Sequence, residues 1–123
     1  MDSANRPLHI PSGSKPTYWF REHDFRFLAS ADETSGTYSL MEIVSPTDSG
    51  PIPHVHEDAE EAFYVLDGDL TFHVGEQSFE VSTGDLVHVP RGTVHYFTVK
   101  ERPAKYLALY APGGEERRFQ DPG

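Results

Sequence analysis

Turn-forming residues interrupt this chain so often that only short secondary-structure elements fit between them. The 123 residues include ten glycines and ten prolines, distributed over most of the length. Between them lie short runs rich in aromatic and branched apolar residues, such as 70–74 and 86–89. Runs of this kind between tight turns favour β-strands. We therefore predict an all-β sandwich or barrel of about ten short strands, with no long helix.

The length and the positions of the turns bound the domain organisation. A chain of this length forms one domain with a single hydrophobic core. We predict a barrel over residues 17–112, with an irregular proline-rich arm at 1–16 and a polar tail at 113–123. The apolar residues expected in the core, ahead of any role in cofactor binding, are Met41, Phe63, Phe72, Phe97, Leu107 and Leu109.

The charge and the residue inventory exclude several classes of partner. The formal net charge is −10, which argues against binding to nucleic acid or to an anionic membrane surface. The chain contains no cysteine, so disulfides, thiolate ligands and cysteine nucleophiles are excluded. No stretch has the length of a transmembrane segment, and the first residues lack an apolar leader core. We therefore expect a cytoplasmic protein with a small-molecule substrate.

Three histidines and one carboxylate suggest a metal site. His54 and His56 are two positions apart, which places both imidazoles on one face of an extended strand. Glu61 follows five residues later, and His95 comes after a second turn-rich block. Imidazole and carboxylate ligands suit a divalent first-row metal that keeps coordination positions open. The neighbouring Glu60 competes for the role of Glu61, but we expect it to be a solvated charge.

These residues resemble the cupin superfamily, whose first motif is G-x5-H-x-H-x3,4-E-x6-G and whose second is G-x5-P-x-G-x2-H-x3-N. The matching positions are His54, His56, Glu61 and Gly68 for the first motif, and Gly84, Pro90, Gly92 and His95 for the second. Asp48 stands at the first glycine, with Gly50 two residues later, and Val99 replaces the final asparagine. The resemblance implies a double-stranded β-helix, a jelly-roll-like barrel that holds the metal inside one end.

The resemblance also implies a reaction class. It predicts one divalent transition metal (Fe, Ni, Mn, Co, Cu or Zn) held by His54, His56, Glu61 and His95, with Glu61 doubling as a catalytic base. The chain is similar to small single-domain cupins of the flavonol-dioxygenase and polyketide-cyclase types. The leading hypothesis is a dioxygenase-type oxidoreductase acting on a small aromatic or enolisable molecule. A non-redox cyclase or isomerase, and a non-catalytic metal- or ligand-binding cupin, are the alternatives.

The roles of several other polar residues stay open in the sequence. His73 and His88 lie in apolar strand segments, where a neutral, hydrogen-bonded histidine is the favoured interpretation over a substrate contact. His9 and His23 are expected to face solvent. The residues that either line the pocket or lie on the surface are Tyr38, Glu42 and Arg91.

The N-terminal aromatic segment suggests an association surface. Residues 18–20 are consecutive aromatics near the start of the predicted barrel. A small barrel exposes sheet edges, and such an apolar segment needs cover. We therefore predict a homodimer, with this segment as the candidate contact.

Overall fold

Nine short strands make up the secondary structure of the computed structural model, which describes residues 7–115. The strands are β1 (Thr17–Phe20), β2 (His23–Ala29), β3 (Ser39–Ser45), β4 (Glu60–Asp67), β5 (Asp69–Val74), β6 (Gln77–Ser82), β7 (Leu86–Val89), β8 (His95–Val99) and β9 (Ala104–Ala111). Residues 7–115 contain no helix, and so none that could cross a membrane. The prediction of an all-β chain built from short strands is confirmed.

The strands form two antiparallel sheets. A six-stranded sheet has the order β1-β2-β3-β9-β4-β7, and a three-stranded sheet has the order β6-β5-β8. Side chains from both sheets share one core, with Met41 and Phe63 from the larger sheet and Leu70, Phe72 and Val99 from the smaller. This arrangement is the predicted jelly-roll barrel.

Alternation along the strands decides which residues reach the core. In β3 every second side chain is buried, as a strand with one solvated face requires. Strand β9 follows the same rule, but its buried face carries Tyr106, Ala108 and Tyr110. The expectation that Leu107 and Leu109 lie in the core is wrong: both are only partly buried, on the opposite face of β9.

The loop before the two histidines departs from the motif but meets the same backbone requirements. Asp48 occupies the expected glycine position and adopts φ of 61°, a left-handed conformation that aspartate tolerates better than most residues. Gly50 has φ of 158° and lies so close to β8 that an added Cβ would sit 1.8 Å from the Phe97 carbonyl oxygen. A side chain at position 50 is therefore excluded without movement of the loop.

Candidate metal centre

The backbone brings His54 and His95 together as an antiparallel bridge. The amide of each residue donates to the carbonyl of the other, at 3.0 Å and 2.9 Å. The amide of Gly92 donates to the carbonyl of His56 at 2.9 Å, so the second turn-rich block holds the next histidine in place too. The loop from 54 to 56 is therefore attached to the chain around His95 on both sides.

Hydrogen bonds to the backbone set the orientation of two of the rings. Nδ1 of His54 donates to the carbonyl of Ile52 at 2.8 Å, and Nδ1 of His95 donates to the carbonyl of Thr93 at 2.9 Å. A carbonyl can only accept, so in the neutral imidazole the proton lies on Nδ1 and Nε2 carries a lone pair. Metal-binding histidines are commonly oriented in this way.

Glu61 completes the cluster from the start of β4. Its Oε1 lies 2.8 Å from Nε2 of His95 and 3.1 Å from Nε2 of His56. One potential ligand atom from each of His54, His56, Glu61 and His95 lies within 4.8 Å of the others. The structure therefore assembles the four residues that the sequence singled out.

The buried polar atoms of this cluster fit a cation. Among the described residues, neither carboxylate oxygen of Glu61 nor Nε2 of His95 makes a hydrogen bond of good geometry, although all three atoms are buried. A lone pair on Nε2 facing a carboxylate oxygen is repulsive, and buried polar atoms without partners are costly. A proton or a metal ion between them removes both penalties. Three imidazoles and a carboxylate suit a divalent first-row metal.

The local environment shifts the titration of the two bridged histidines in opposite directions. Burial lowers the pKa of His54. Burial also opposes protonation of His95, but the Glu61 carboxylate and the Thr93 carbonyl outweigh it and raise the pKa of His95. In the metal-free protein, His95 is therefore the ring that more readily takes a proton beside Glu61.

Sequence reasoning did not identify Glu115, which contacts the third ring. Oε2 of Glu115 lies 3.1 Å from Nδ1 of His56, and its side chain is 15% exposed. This contact falls short of a hydrogen bond of good geometry, but it places a carboxylate beside Nδ1 of the ring whose Nε2 faces Glu61, and such carboxylates accompany many metal-bound histidines. Glu115 lies beyond the last strand and outside both motifs, so the sequence carries no signal for this contact.

Two tyrosines on the buried face of β9 were also missed. Tyr110 packs its ring 5.7 Å from that of His56. Burial and the charge of Glu61 raise the pKa of Tyr110 well above its ordinary value, so its hydroxyl stays protonated. Tyr106 is likewise buried, which raises its pKa. The sequence did not identify these two residues because both faces of β9 carry apolar side chains, so the pattern does not show which face is buried.

Three of the four residues, His54, His56 and Glu61, line part of one cavity of about 740 Å³. The other walls are mainly apolar or aromatic and include Phe20, Phe25, Ile43, Phe63, Phe97, Tyr106 and Tyr110. Cavities of this size and composition hold small organic molecules.

Most of the remaining candidates lie outside this cavity. The Glu60 side chain is about half exposed and pairs with His88 and Arg91 on the outer surface, at 3.8 Å and 3.6 Å. His73 stacks on Tyr96 at 4.3 Å and is hydrogen-bonded to Ser78. Neither His73, His88 nor Arg91 contributes to the cavity wall.

Three further expectations concern the cavity wall. Tyr38 and Glu42 do not line it: Tyr38 is exposed, and Glu42 pairs with Arg26 at 3.3 Å. The expectation that His23 faces solvent is wrong. This ring is half-buried, lines the cavity and is hydrogen-bonded to Ser45, because the residues that join β1 to β2 form part of the cavity wall. His9 is exposed, as expected.

The fold and the cluster together define a small β-barrel with a candidate three-histidine, one-carboxylate metal centre. Residues 40–110 match the family model described as "Cupin domain", and the chain belongs to this family.

Two relatives align with most of this chain. The chain is 30% identical over 117 residues to quercetin 2,3-dioxygenase of Bacillus subtilis (strain 168), which covers 95% of this chain and 35% of the relative. It is 26% identical over 102 residues to the quercetin 2,3-dioxygenase of Aspergillus japonicus, which covers 77% of this chain and 29% of that protein. The chain thus spans about a third of the length of these relatives.

Solved structures share the fold at low sequence identity. KdgF from Halomonas sp. superposes with a TM-score of 0.80 at 15% identity, covering 91% of this chain and 99% of that one. The polyketide cyclase RemF from Streptomyces resistomycificus superposes with a TM-score of 0.70 at 22% identity, covering 86% and 78% of the two chains. At these identities the likeness concerns the fold alone.

Proposed function

We propose that this protein is a metal-dependent dioxygenase-type oxidoreductase that acts on a small aromatic or enolisable molecule. The observation that carries the proposal is the meeting of four potential ligand atoms within 4.8 Å at the wall of a largely apolar cavity. The residues that would hold one divalent iron, nickel, manganese, cobalt, copper or zinc ion are His54, His56, Glu61 and His95. When bound, the ion supplies a Lewis-acidic centre with open coordination positions.

The side chains have separate tasks in this proposal. Glu61 is 2% exposed, and its carboxylate is the base that accepts the proton of a substrate hydroxyl. Tyr110 lies beside Glu61 and stays protonated, so it can donate a hydrogen bond to a developing oxyanion. Phe63 and Phe97 line the cavity and exclude water from a planar substrate.

The relatives support an oxidative reaction on an aromatic molecule. Two of them are quercetin 2,3-dioxygenases, and one of these aligns with 95% of this chain. The cavity agrees with a planar, mostly apolar substrate, because its walls are rich in phenylalanine and tyrosine. The only arginine or lysine on its wall, within residues 7–115, is Arg21, which argues against a highly anionic substrate.

A non-redox cyclase or isomerase is the second candidate, favoured by the same proton-transfer groups. Glu61 as base and the protonated Tyr110 as donor could move a proton on a carbonyl compound beside a zinc ion without any change of oxidation state. The fold likeness to a polyketide cyclase is compatible with this reaction. The third candidate is a cupin that binds a metal and a ligand without turnover.

Metal analysis followed by oxygen uptake distinguishes these candidates. Protein purified without a histidine tag is analysed for its metal, then reloaded separately with iron, nickel, manganese and zinc. Oxygen consumption is measured with a panel of enolisable aromatics and diketones. Uptake with a redox metal, lost in Glu61→Gln and kept in Glu60→Gln, supports the dioxygenase.

The other outcomes contradict the dioxygenase. Turnover by the zinc form, with no uptake by any redox metal, identifies the cyclase or isomerase. Tight binding without turnover identifies the binding protein.

A further inference from the structure

A second polar cluster reaches the cavity wall away from the metal centre: its member Tyr106 lies on β9 four residues before Tyr110, the residue paired with Glu61. Nδ1 of His23 lies 2.8 Å from Oγ of Ser45, and the same Oγ lies 2.9 Å from the hydroxyl of Tyr106. Ser45 is fully buried and Tyr106 is 3% exposed, whereas His23 is half-buried and forms part of the cavity wall. The three residues form one hydrogen-bonded chain that begins in the core and ends at the cavity wall.

The chemistry of the three groups sets the direction of their hydrogen bonds. If Tyr106 donates to Ser45 and Ser45 donates to Nδ1 of His23, both hydroxyl protons are used. The reverse direction leaves the hydroxyl proton of Tyr106 to find another acceptor inside the core, which is costly. Nε2 of His23 therefore carries the ring proton and is the nitrogen available to a ligand. Burial also lowers the pKa of His23, which keeps the ring neutral.

The backbone that presents His23 is strained. Arg21 and Glu22 connect β1 to β2, and both adopt left-handed conformations, with φ of 49° and 74°. Asparagine and glycine are the usual residues in a two-residue turn of this kind. Strain of this sort persists where the surrounding structure requires it, often at functional sites. Here the turn places Phe20 and His23, which pair across the hairpin, on the cavity wall.

We propose that His23 is a second binding point of the cavity, where Nε2–H donates a hydrogen bond to an oxygen at the end of the ligand remote from the metal centre. This rests on the proposed function, which places the chelating end of the ligand at Glu61 and the three histidines. Apolar walls such as Phe25, Phe63 and Phe97 complete the cavity. The ligand class is therefore a largely apolar molecule with oxygen groups at both ends.

Two probes of different length test this binding point on zinc-loaded protein, which allows binding to be measured without oxidation. Quercetin carries a hydroxy-ketone on its central ring and further hydroxyl groups on its two outer rings, whereas maltol has the hydroxy-ketone ring alone. We expect His23→Leu to weaken quercetin binding about five- to ten-fold, the loss typical of one hydrogen bond. Maltol binding should not change.

Two matched variants separate the hydrogen bond from a change of cavity shape. His23→Gln retains an N–H donor, and we expect it to bind quercetin within about two-fold of wild type. His88→Leu changes an exposed histidine on the outer surface and should leave both affinities unchanged. Nitrogen-15 NMR of the imidazoles should show the proton of His23 on Nε2 in the wild type, and a loss of this preference in Ser45→Ala.

The possible failures are distinguishable. If maltol binds but His23→Leu holds quercetin as tightly as wild type, or weakens both probes equally, the inference is overturned and the proposed function stands. A proton on Nδ1 of wild-type His23 also overturns it. If the wild-type zinc protein binds neither probe, the proposed function fails for this ligand class and the inference falls with it.

Discussion

Glu61 on β4 and His95 on β8 meet at 2.8 Å between Oε1 and Nε2, although their strands belong to different sheets. The contact joins the six-stranded sheet to the three-stranded one through two side chains that are almost fully buried. A cation bound between these atoms would therefore link the two layers of the barrel as well as form the reactive centre of the proposed function.

Loss of His95 should remove the metal and the stability that comes with it. We expect His95→Ala to lower metal occupancy sharply, and metal addition to raise the melting temperature of the wild type but not of the variant, because a ligand bound only by the folded state stabilises it. Elemental analysis and calorimetry are the measurements. Glu60→Ala is the control, since Glu60 lies on the outer surface. Loss of metal from Glu60→Ala but not from Glu61→Ala would contradict the assignment.

Glu115 should tune metal affinity through His56. Glu115→Ala removes the carboxylate that lies 3.1 Å from Nδ1 of His56. We expect the metal affinity to fall about ten-fold, which is near the smallest loss usual when a residue that orients a metal ligand is removed. Glu115→Gln should lose less, because its amide oxygen can still accept from Nδ1. Competition with a chromogenic chelator gives the affinities. Glu76→Ala, at an exposed turn, should match wild type; equal affinities for all variants would exclude this role of Glu115.

The corrected core makes a prediction about folding stability. Leu70 is fully buried between the sheets, whereas Leu109 is partly buried on the outer face of β9. We expect Leu70→Ala to lower the free energy of unfolding by about 3 kcal/mol and Leu109→Ala by about 1 kcal/mol. Urea denaturation of the metal-free protein measures both. A larger loss of unfolding free energy for Leu109→Ala than for Leu70→Ala would show that Leu109 lies in the core, as the sequence had predicted.

The stability of the metal-free protein should depend on the protonation of His23. Burial lowers the pKa of His23 in the folded state, so below about pH 6.5 the unfolded chain binds this proton more readily than the folded one. The free energy of unfolding therefore decreases as the pH falls below about 6.5. This decrease should be smaller in His23→Gln than in the wild type. Urea titrations from pH 5 to pH 8 test this. His9→Gln, at an exposed position, should follow wild type; an identical dependence in all three proteins would refute the prediction.

The predicted homodimer depends on the aromatic residues of β1. Trp19 is 72% exposed and Tyr18 is 45% exposed, so this edge strand carries apolar surface that a second copy could cover. We expect sedimentation velocity to show a dimer for wild type and a monomer for Trp19→Glu. Leu86→Glu alters a residue that is 65% exposed at the other edge of the same sheet and is the control. A dimer that survives Trp19→Glu would place the contact elsewhere.

The strands and the four clustered residues were accessible from sequence because local signals specify them. Period-two patterns and glycine-bounded turns mark strands such as β3 and β5, and the spacing of His54, His56 and Glu61 is itself a local pattern. The face of β9 was not accessible, because leucines alternate with tyrosines and both faces read as apolar. His23 and Glu115 were missed for a different reason: long-range packing alone brings them to the cavity wall and to His56.

The contact between Glu115 and His56 joins the end of the described chain to the start of the candidate metal centre. The two partners are 59 positions apart in the sequence, and six strands lie between them. During synthesis, His54, His56 and Glu61 leave the ribosome before Glu115, whose carboxylate contacts His56. Because Glu115 follows β9, its contact with His56 can form only after all nine strands have been synthesised, and a metal held by the cluster before then would lack it.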